Sequence, residues 1–183
     1  MKRLLPHFAV GLGVALSSIV TIAATTANGP YYATPSWDQT LPAATRFIVL
    51  TNFSLEAVLD RETGLVWERA PSRFAFGDQF EAHNQCNNRR VGARKGWRLP
   101  TLQELSSLLD PFQVNAAQDN VALPAGHPFL GVNLNYFWSA TSGAANANEG
   151  WTFFWGDGQP RRFDKASTGN IWCVRGGQGV DAQ

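Results

Sequence analysis

At 183 residues the chain has room for one ordinary domain and some extra, and two full domains would be cramped. Its formal charge of +1 falls to −1 once Lys2 and Arg3 leave with an N-terminal leader. Such a near-neutral protein has no field to hold nucleic acid non-specifically, which excludes that class of partner. The leader is read from Lys2 and Arg3, an apolar run from Phe8 to Ala24, and small residues from Ala23 to Ala27. That is the order of a secretory signal peptide and predicts residues 1–27 with a cut near Ala27. An uncleaved anchor helix is the competing reading, because a run of about 17 residues falls just short of a membrane span. No cysteine follows the run, which argues against a lipoprotein anchor. Export predicts a secreted, periplasmic or cell-surface location, with no membrane span left after cleavage.

Residues 28–45, rich in Pro, Ala and Thr without a period, read as a linker or extended N-terminal arm. No collagen-like, heptad or longer repeat is visible. A single domain is predicted over 46–177, followed by a flexible tail at 178–183. "RFIVL" (46–50) opens it as a short strand, and "AVLDRETGLVWER" then alternates around a turn from Asp60 to Gly64, which reads as a hairpin. Between residues 76 and 88, Phe76, Phe80, His83 and Cys86 follow steps of four, three and three, predicting a helix with Cys86 on its inward face.

In "KGWRLPTLQELSSLLD" (95–110), Thr101 and Glu104 have the spacing of a capping box. Leu102, Leu105, Leu108 and Leu109 then form the apolar stripe of a short helix, which Asp110-Pro111 ends. From 111 to 135 the chain reads mostly as loop. Beyond it lie four aromatic, strand-like stretches: "NYFWSAT" (135–141), "GWTFFW" (150–155), "RRFD" (161–164) and "NIWCVRG" (170–176), with "GDGQP" as a turn between the second and third. Two short helices followed by a C-terminal set of strands predict an α+β fold, the helices packed on antiparallel strands. Five of the seven tryptophans lie in this C-terminal set or in the 95–110 motif and suit a small aromatic core.

Cys86 and Cys173 are the chain's two cysteines. In an oxidising compartment an even pair reads as one disulfide, here closing a loop of 88 residues. Metal or catalytic thiols are the alternative, but they lack the close pairing expected of metal sites.

An enzyme needs a nucleophile, a base or a metal site. His7 falls in the leader, His83 on the apolar side of a predicted helix, and His127 in a loop between Gly126 and Pro128. No metal-ligand spacing, nucleophile elbow, phosphate loop or zinc-protease helix occurs. The expectation is a protein without catalysis.

A binding module has better material. The polar loop "SGAANANEG" carries Asn146, Asn148 and Glu149, and around the following turn come Asp157, Arg161, Arg162 and Lys165. Planar amides and carboxylates pair with sugar hydroxyls, and guanidinium forks suit sulfate or carboxylate groups. Arg161 and Arg162 are neighbours in a strand and face opposite ways, so at most one is expected to bind. The plainer reading makes 146–149 a solvated loop and places Trp151, Phe153 and Trp155 on one inward face. The predicted partner is a polysaccharide or glycan with room for anionic substituents, and a cell-envelope protein is the alternative.

The blocks "VLDRETGLVWER", "GWRLPTLQELSSLLD", "YFWSAT", "GWTFFWGDG" and "WCVRGG", in this order, resemble the Lcl C-terminal-domain family over about residues 54–177. That family takes its name from the terminal domain of a bacterial collagen-like adhesin. The resemblance implies a C-type-lectin-like fold and an adhesin-type function, since the name-giving domain binds sulfated polysaccharide. It implies no trimerisation, because this sequence has no collagen-like stalk. The Arg98-Leu99-Pro100-Thr101 block also resembles formylglycine-generating enzymes, which depend on reactive cysteines; here the cysteines stand where the Lcl family has its disulfide. A block shared by folds of different function implies a structural role for Trp97, Arg98, Thr101 and Glu104. Calcium-dependent sugar lectins use an acidic-proline-asparagine loop and a Trp-Asn-Asp strand. Neither occurs here, so no cofactor is expected and a calcium site has no motif behind it.

Overall fold

The computed structural model describes residues 26–27, 41–114 and 121–177, and of 26–27 and 72–76 it describes the backbone alone. Most of the expected leader and arm, and the tail at 178–183, lie outside the described residues. The fold is α+β, with two sheets and a few short helices.

The first sheet has the order β1-β2-β3-β4-β11-β6. Its members are β1 (Thr26–Ala27), β2 (Phe47–Leu50), β3 (Ala57–Asp60), β4 (Val66–Glu68), β6 (Trp97–Arg98) and β11 (Val174–Arg175). A one-turn helix α1 (Ala43–Arg46) leads into β2. Thr26–Ala27, at the expected cut, pair in parallel with Val49–Leu50. The second sheet has the order β5-β10-β7-β8-β9, from β5 (Ser72–Gly77), β7 (Tyr136–Ser142), β8 (Glu149–Phe154), β9 (Gln159–Asp164) and β10 (Gly169–Ile171). Helices α2 (Gln79–Asn88) and α3 (Leu102–Ser107) pack on these strands.

The hairpin of β3 and β4 forms because Gly64 accepts the left-handed φ of +72° that closes it. Both strands are buried throughout: Val58 and Trp67 enter one core cluster, Leu59 and Val66 the other. Trp172 anchors the first cluster, its ring 5.4 Å from Trp67, 5.0 Å from Phe129 and 5.6 Å from Trp155. Its indole N–H donates to the Glu68 carbonyl at 2.9 Å, so this buried donor is satisfied.

Three details differ from the sequence reading. The segment 170–176 is two strands, not one. β10 belongs to the second sheet and β11 to the first, and Trp172-Cys173 carry the chain across. The helix begins at Gln79, with Asp78 as N-cap accepting from the Glu81 N–H at 2.7 Å, and Phe76 lies in β5. At about 100° per residue Phe80 sits some 120° around the helix from Cys86, whereas Gln79 and Ala82 share the face of Cys86. Gln79, Ala82 and Cys86 are accordingly buried and Phe80 is 73% exposed. Finally, Phe153 and Trp155 enter the core, while Trp151 stays half-buried beyond the main cluster.

Cys86 and Cys173 form a disulfide, with Cα atoms 5.4 Å apart and both residues buried. It ties α2 to the crossing between the sheets. Glu68 reinforces the same junction: it accepts from the Cys173 N–H at 2.9 Å, and its other oxygen is 2.9 Å from Arg89 Nε.

The 95–110 motif is built around a bidentate pair. Arg98 Nη1 and Nη2 donate to Glu104 at 2.8 and 2.6 Å, and Nη2 also donates to the Gly176 carbonyl at 2.8 Å. Glu104 in turn accepts from the Thr101 N–H, while Thr101 Oγ1 accepts from the Glu104 N–H. One carboxylate thus caps α3 and holds the arginine that pins the end of β11. Trp97 and Leu99, two residues apart, enter the second core cluster together, on the opposite side of the strand from Arg98.

Candidate functional site

β9 is an edge strand of the second sheet, and with β8 it forms a hairpin that carries most of the sequence-predicted site. Its register places Glu149 opposite Asp164, Trp151 opposite Arg162, and Thr152 opposite Arg161. Residues directly opposite share a face. Glu149, Trp151, Arg162 and Asp164 therefore lie on one side of the hairpin; Arg161 and Phe163 lie on the other, with Thr152 and Phe154.

At the loop end the backbone is tightly organised. Asn146 Oδ1 accepts from the Asn148 N–H at 3.0 Å and its carbonyl accepts from the Glu149 N–H at 3.0 Å. Gly143 N–H donates to the Glu149 carbonyl, and Lys165 N–H donates to the Asn148 carbonyl at 2.8 Å. This last bond joins the loop to the turn after β9 and brings Asn148, Glu149 and Lys165 together. A Cβ at Gly143 would meet the Asn146 and Glu149 carbonyls at 3.0 and 3.1 Å, so the loop closes over a position that a side chain would crowd.

The charged groups here are loosely held. Arg162 Nη1 is 3.4 Å from Glu149 Oε2, and the guanidinium carbon lies 5.7 Å from the centre of the Trp151 ring. Both side chains are partly exposed, at 49% for Arg162 and 32% for Glu149. Asn146 and Asn148 are exposed and Lys165 is half-buried. A half-buried indole, a carboxylate, two amides and two cations are thus placed within one loop end.

Asp157 and Arg161 do not join them. Asp157 lies in the turn at the opposite end of the hairpin, and Arg161, next to Arg162 in β9 but on the other face, pairs with it at 2.6 Å. Asp157 Oδ1 is also engaged, accepting from the Gln159 N–H at 3.0 Å. The seven residues singled out in sequence therefore separate into a group of five, Asn146, Asn148, Glu149, Arg162 and Lys165, and a pair, Asp157 and Arg161, engaged with each other on the other face.

Sequence reasoning passed over Tyr136, Phe154 and Phe163. Their half-buried rings meet on the Arg161 side of the hairpin, with Tyr136 centred 4.8 Å from each of the other two. Period-two spacing marks Phe154 as opposite in direction to Phe153, but only the register across three strands shows that the rings adjoin.

The histidines carry no such constellation. His127 Nδ1 accepts from the Phe129 N–H at 3.2 Å, its ring lies against Phe129, and burial lowers its pKa. His83 is half-buried on α2. Among the described residues, no group of three or more His, Cys, Asp or Glu side chains is placed to hold a metal ion, and no helix is long and apolar enough to cross a membrane.

The fold and the polar edge hairpin together define a small disulfide-tied α+β domain. The family model of the Lcl C-terminal domain matches residues 56–175, and the chain belongs to that family. Membership supports a domain of a surface or secreted protein. No curated protein matches the chain.

Proposed function

We propose that the protein is a non-catalytic, adhesin-type recognition module acting in the periplasm or at the cell surface, with polysaccharide as its ligand. The observation that carries this reading is the loop end of the β8–β9 hairpin, where Trp151, Glu149 and Arg162 adjoin the exposed amides of Asn146 and Asn148. Sugars need a ring face for their C–H surface and planar polar groups for paired hydroxyls, and these are the groups present. The Arg162–Glu149 contact is long and Arg162 is 49% exposed, which leaves its guanidinium open to a sulfate or carboxylate substituent. Lys165 adds a second cation beside the loop. Contacts of this kind are shallow and charge-assisted. Affinity per site is therefore weak and falls with salt for an anionic ligand.

A glycan array on the cleaved, oxidised protein tests the proposal. Binding is expected to acidic polysaccharides and to disappear in the combined Asn148→Ala, Glu149→Ala, Arg162→Ala variant with the fold intact. Unchanged glycan binding in that variant removes the site. A blank array removes the ligand class, and a pull-down from cell-envelope extract then becomes the measurement that matters.

A further inference from the structure

A second site lies away from the hairpin, in a cleft of about 370 Å³ where the end of β4, the end of α2 and the segment 128–130 converge. That volume is within the range of small-ligand sites. Two partly exposed leucines rim it: Leu55, 43% exposed, and Leu130, 51% exposed, with Val91 next to Arg90 also in the lining. Leu55 has a φ of +63° and follows Ser54 at +54°. Two successive non-glycine residues in the left-handed region cost on the order of 1–3 kcal/mol each, and here the strain holds an apolar side chain out at the rim of a cleft.

The rim is held firmly. Arg69 donates from Nε to the Pro128 carbonyl at 3.2 Å and from Nη1 to the Leu55 carbonyl at 3.3 Å. Its backbone carbonyl accepts from the Leu130 N–H at 2.7 Å. One residue therefore fixes both leucine-bearing segments, so the site is formed before any ligand arrives.

The charges in the cleft are unequal. Arg69, Arg89 and Arg90 face two acids, Glu56 and Glu68. Both acids are occupied: Glu56 Oε2 accepts from the Gly92 N–H at 2.6 Å, and Glu68 accepts from the Cys173 N–H and forms an ion pair with Arg89. Arg89 Nη2 is shut from solvent and has no acceptor among the described residues, while Arg90 is exposed. The cleft thus combines an apolar rim with the exposed guanidinium of Arg90 and the partly exposed side chain of Arg89.

We propose that this cleft binds a carboxylate borne on an apolar chain, the carboxylate held by Arg89 and Arg90 and the chain lying against Val91, Leu55 and Leu130. The fork geometry of arginine favours a planar carboxylate, and the leucines have no use for a purely polar ion. A medium-chain fatty acid and the free C-terminus of a peptide ending in an apolar residue share this chemistry. The site shares no residue with the glycan reading and stands or falls separately from it.

The test is a titration of the full-length, oxidised, 15N-labelled protein followed by amide shifts. Octanoate and an acetylated tetrapeptide ending in leucine with a free carboxylate are the two acidic probes; octanol and the amidated peptide are their neutral controls. Saturable shifts at Arg90, Val91 and Leu130 are expected from at least one acid, with its neutral control about tenfold weaker or worse. Whichever acid binds more tightly identifies the source. Arg90→Ala and Leu130→Ser alter exposed side chains and keep the fold; each is expected to weaken the acid about tenfold. The proposal is overturned if neither acid saturates, if the neutral controls bind as tightly, if the shifts fall elsewhere, or if both variants bind as the native protein does.

Discussion

Arginine–carboxylate pairs in the interior and on the edge hairpin behave as different objects. Under α1, Arg46 meets Asp60 through two parallel bonds of 2.9 and 2.8 Å, reaches the Ser107 carbonyl at 2.7 Å and touches Glu62 at 2.9 Å, with side-chain exposures of 7% and 0% for Arg46 and Asp60. Arg98 and Glu104 repeat the pattern with 14% and 19% exposure. On the β8–β9 hairpin, Arg162 and Glu149 make one contact of 3.4 Å with 49% and 32% exposure. In the first setting each charge is hydrogen-bonded on several sides and joins elements far apart in sequence, so removing one partner strands the other away from water. In the second, the arginine already stands half in water and the single long contact contributes little. Identical residue types thus hold the fold in one place and remain available to a ligand in the other, and burial makes the difference.

The contrast can be broken most severely at the disulfide, which stands on the buried side. Reducing it, or replacing Cys86 and Cys173 by serine, is expected to lower stability by about 4–5 kcal/mol for a closed loop of 88 residues, read as a fall in the denaturation midpoint. Next come the arginines. Arg46→Ala should cost about 3–5 kcal/mol, because Asp60 is left buried and unpaired. Arg98→Ala should cost about 2–3 kcal/mol, since Glu104 retains its bond to the Thr101 N–H and some access to solvent. Chemical denaturation of the two variants orders them, and full stability in Arg98→Ala would reverse the structural role given to this residue.

Glu68 sharpens the comparison through pH. Burial raises its pKa above the ordinary 4.5, with Arg89 and the Cys173 N–H pulling it back down. A carboxyl raised in the folded state supports stability below pH 4.5 and loses that contribution as pH rises through its folded value. The stability of Glu68→Gln relative to the native protein should therefore improve as pH climbs from below 4.5 toward neutrality. Denaturant midpoints of both proteins across that range check the slope, and a gap that widens against Gln with rising pH contradicts it. The smallest effect belongs to the hairpin: Arg161→Ala should shift stability by less than about 1 kcal/mol despite its 2.6 Å bond to Asp157. A larger loss would show that the edge strand carries structural weight, and the division between the two regions would fail.

What the sequence determined by itself was local or compositional. Thr101 and Glu104 announce their reciprocal cap because both bonds close within four residues. Gly64 marks the β3–β4 turn because few other residues tolerate its backbone, and the pairing of Cys86 with Cys173 followed from an even count in a presumed oxidising compartment. The five ordered blocks, matched by the family at 56–175, supplied the family.

The rest depended on which elements become neighbours. No pattern in "NIWCVRG" tells that the chain leaves one sheet and joins another within it, since Asn170 to Val174 are buried without a break. Arg46 reads as an ordinary charge at the start of a strand; only the approach of Asp60 and Ser107, 14 and 61 residues away, makes it a buried clamp. The seven predicted site residues looked contiguous because they span 20 positions. The hairpin register then turned Arg161 to the other face, paired with Asp157 of the far turn, and left Asn146, Asn148, Glu149, Arg162 and Lys165 together. Side-chain identity and short spacings are written along the chain, whereas the dielectric around a charge and the company a side chain keeps are set by segments that meet only when the whole domain closes.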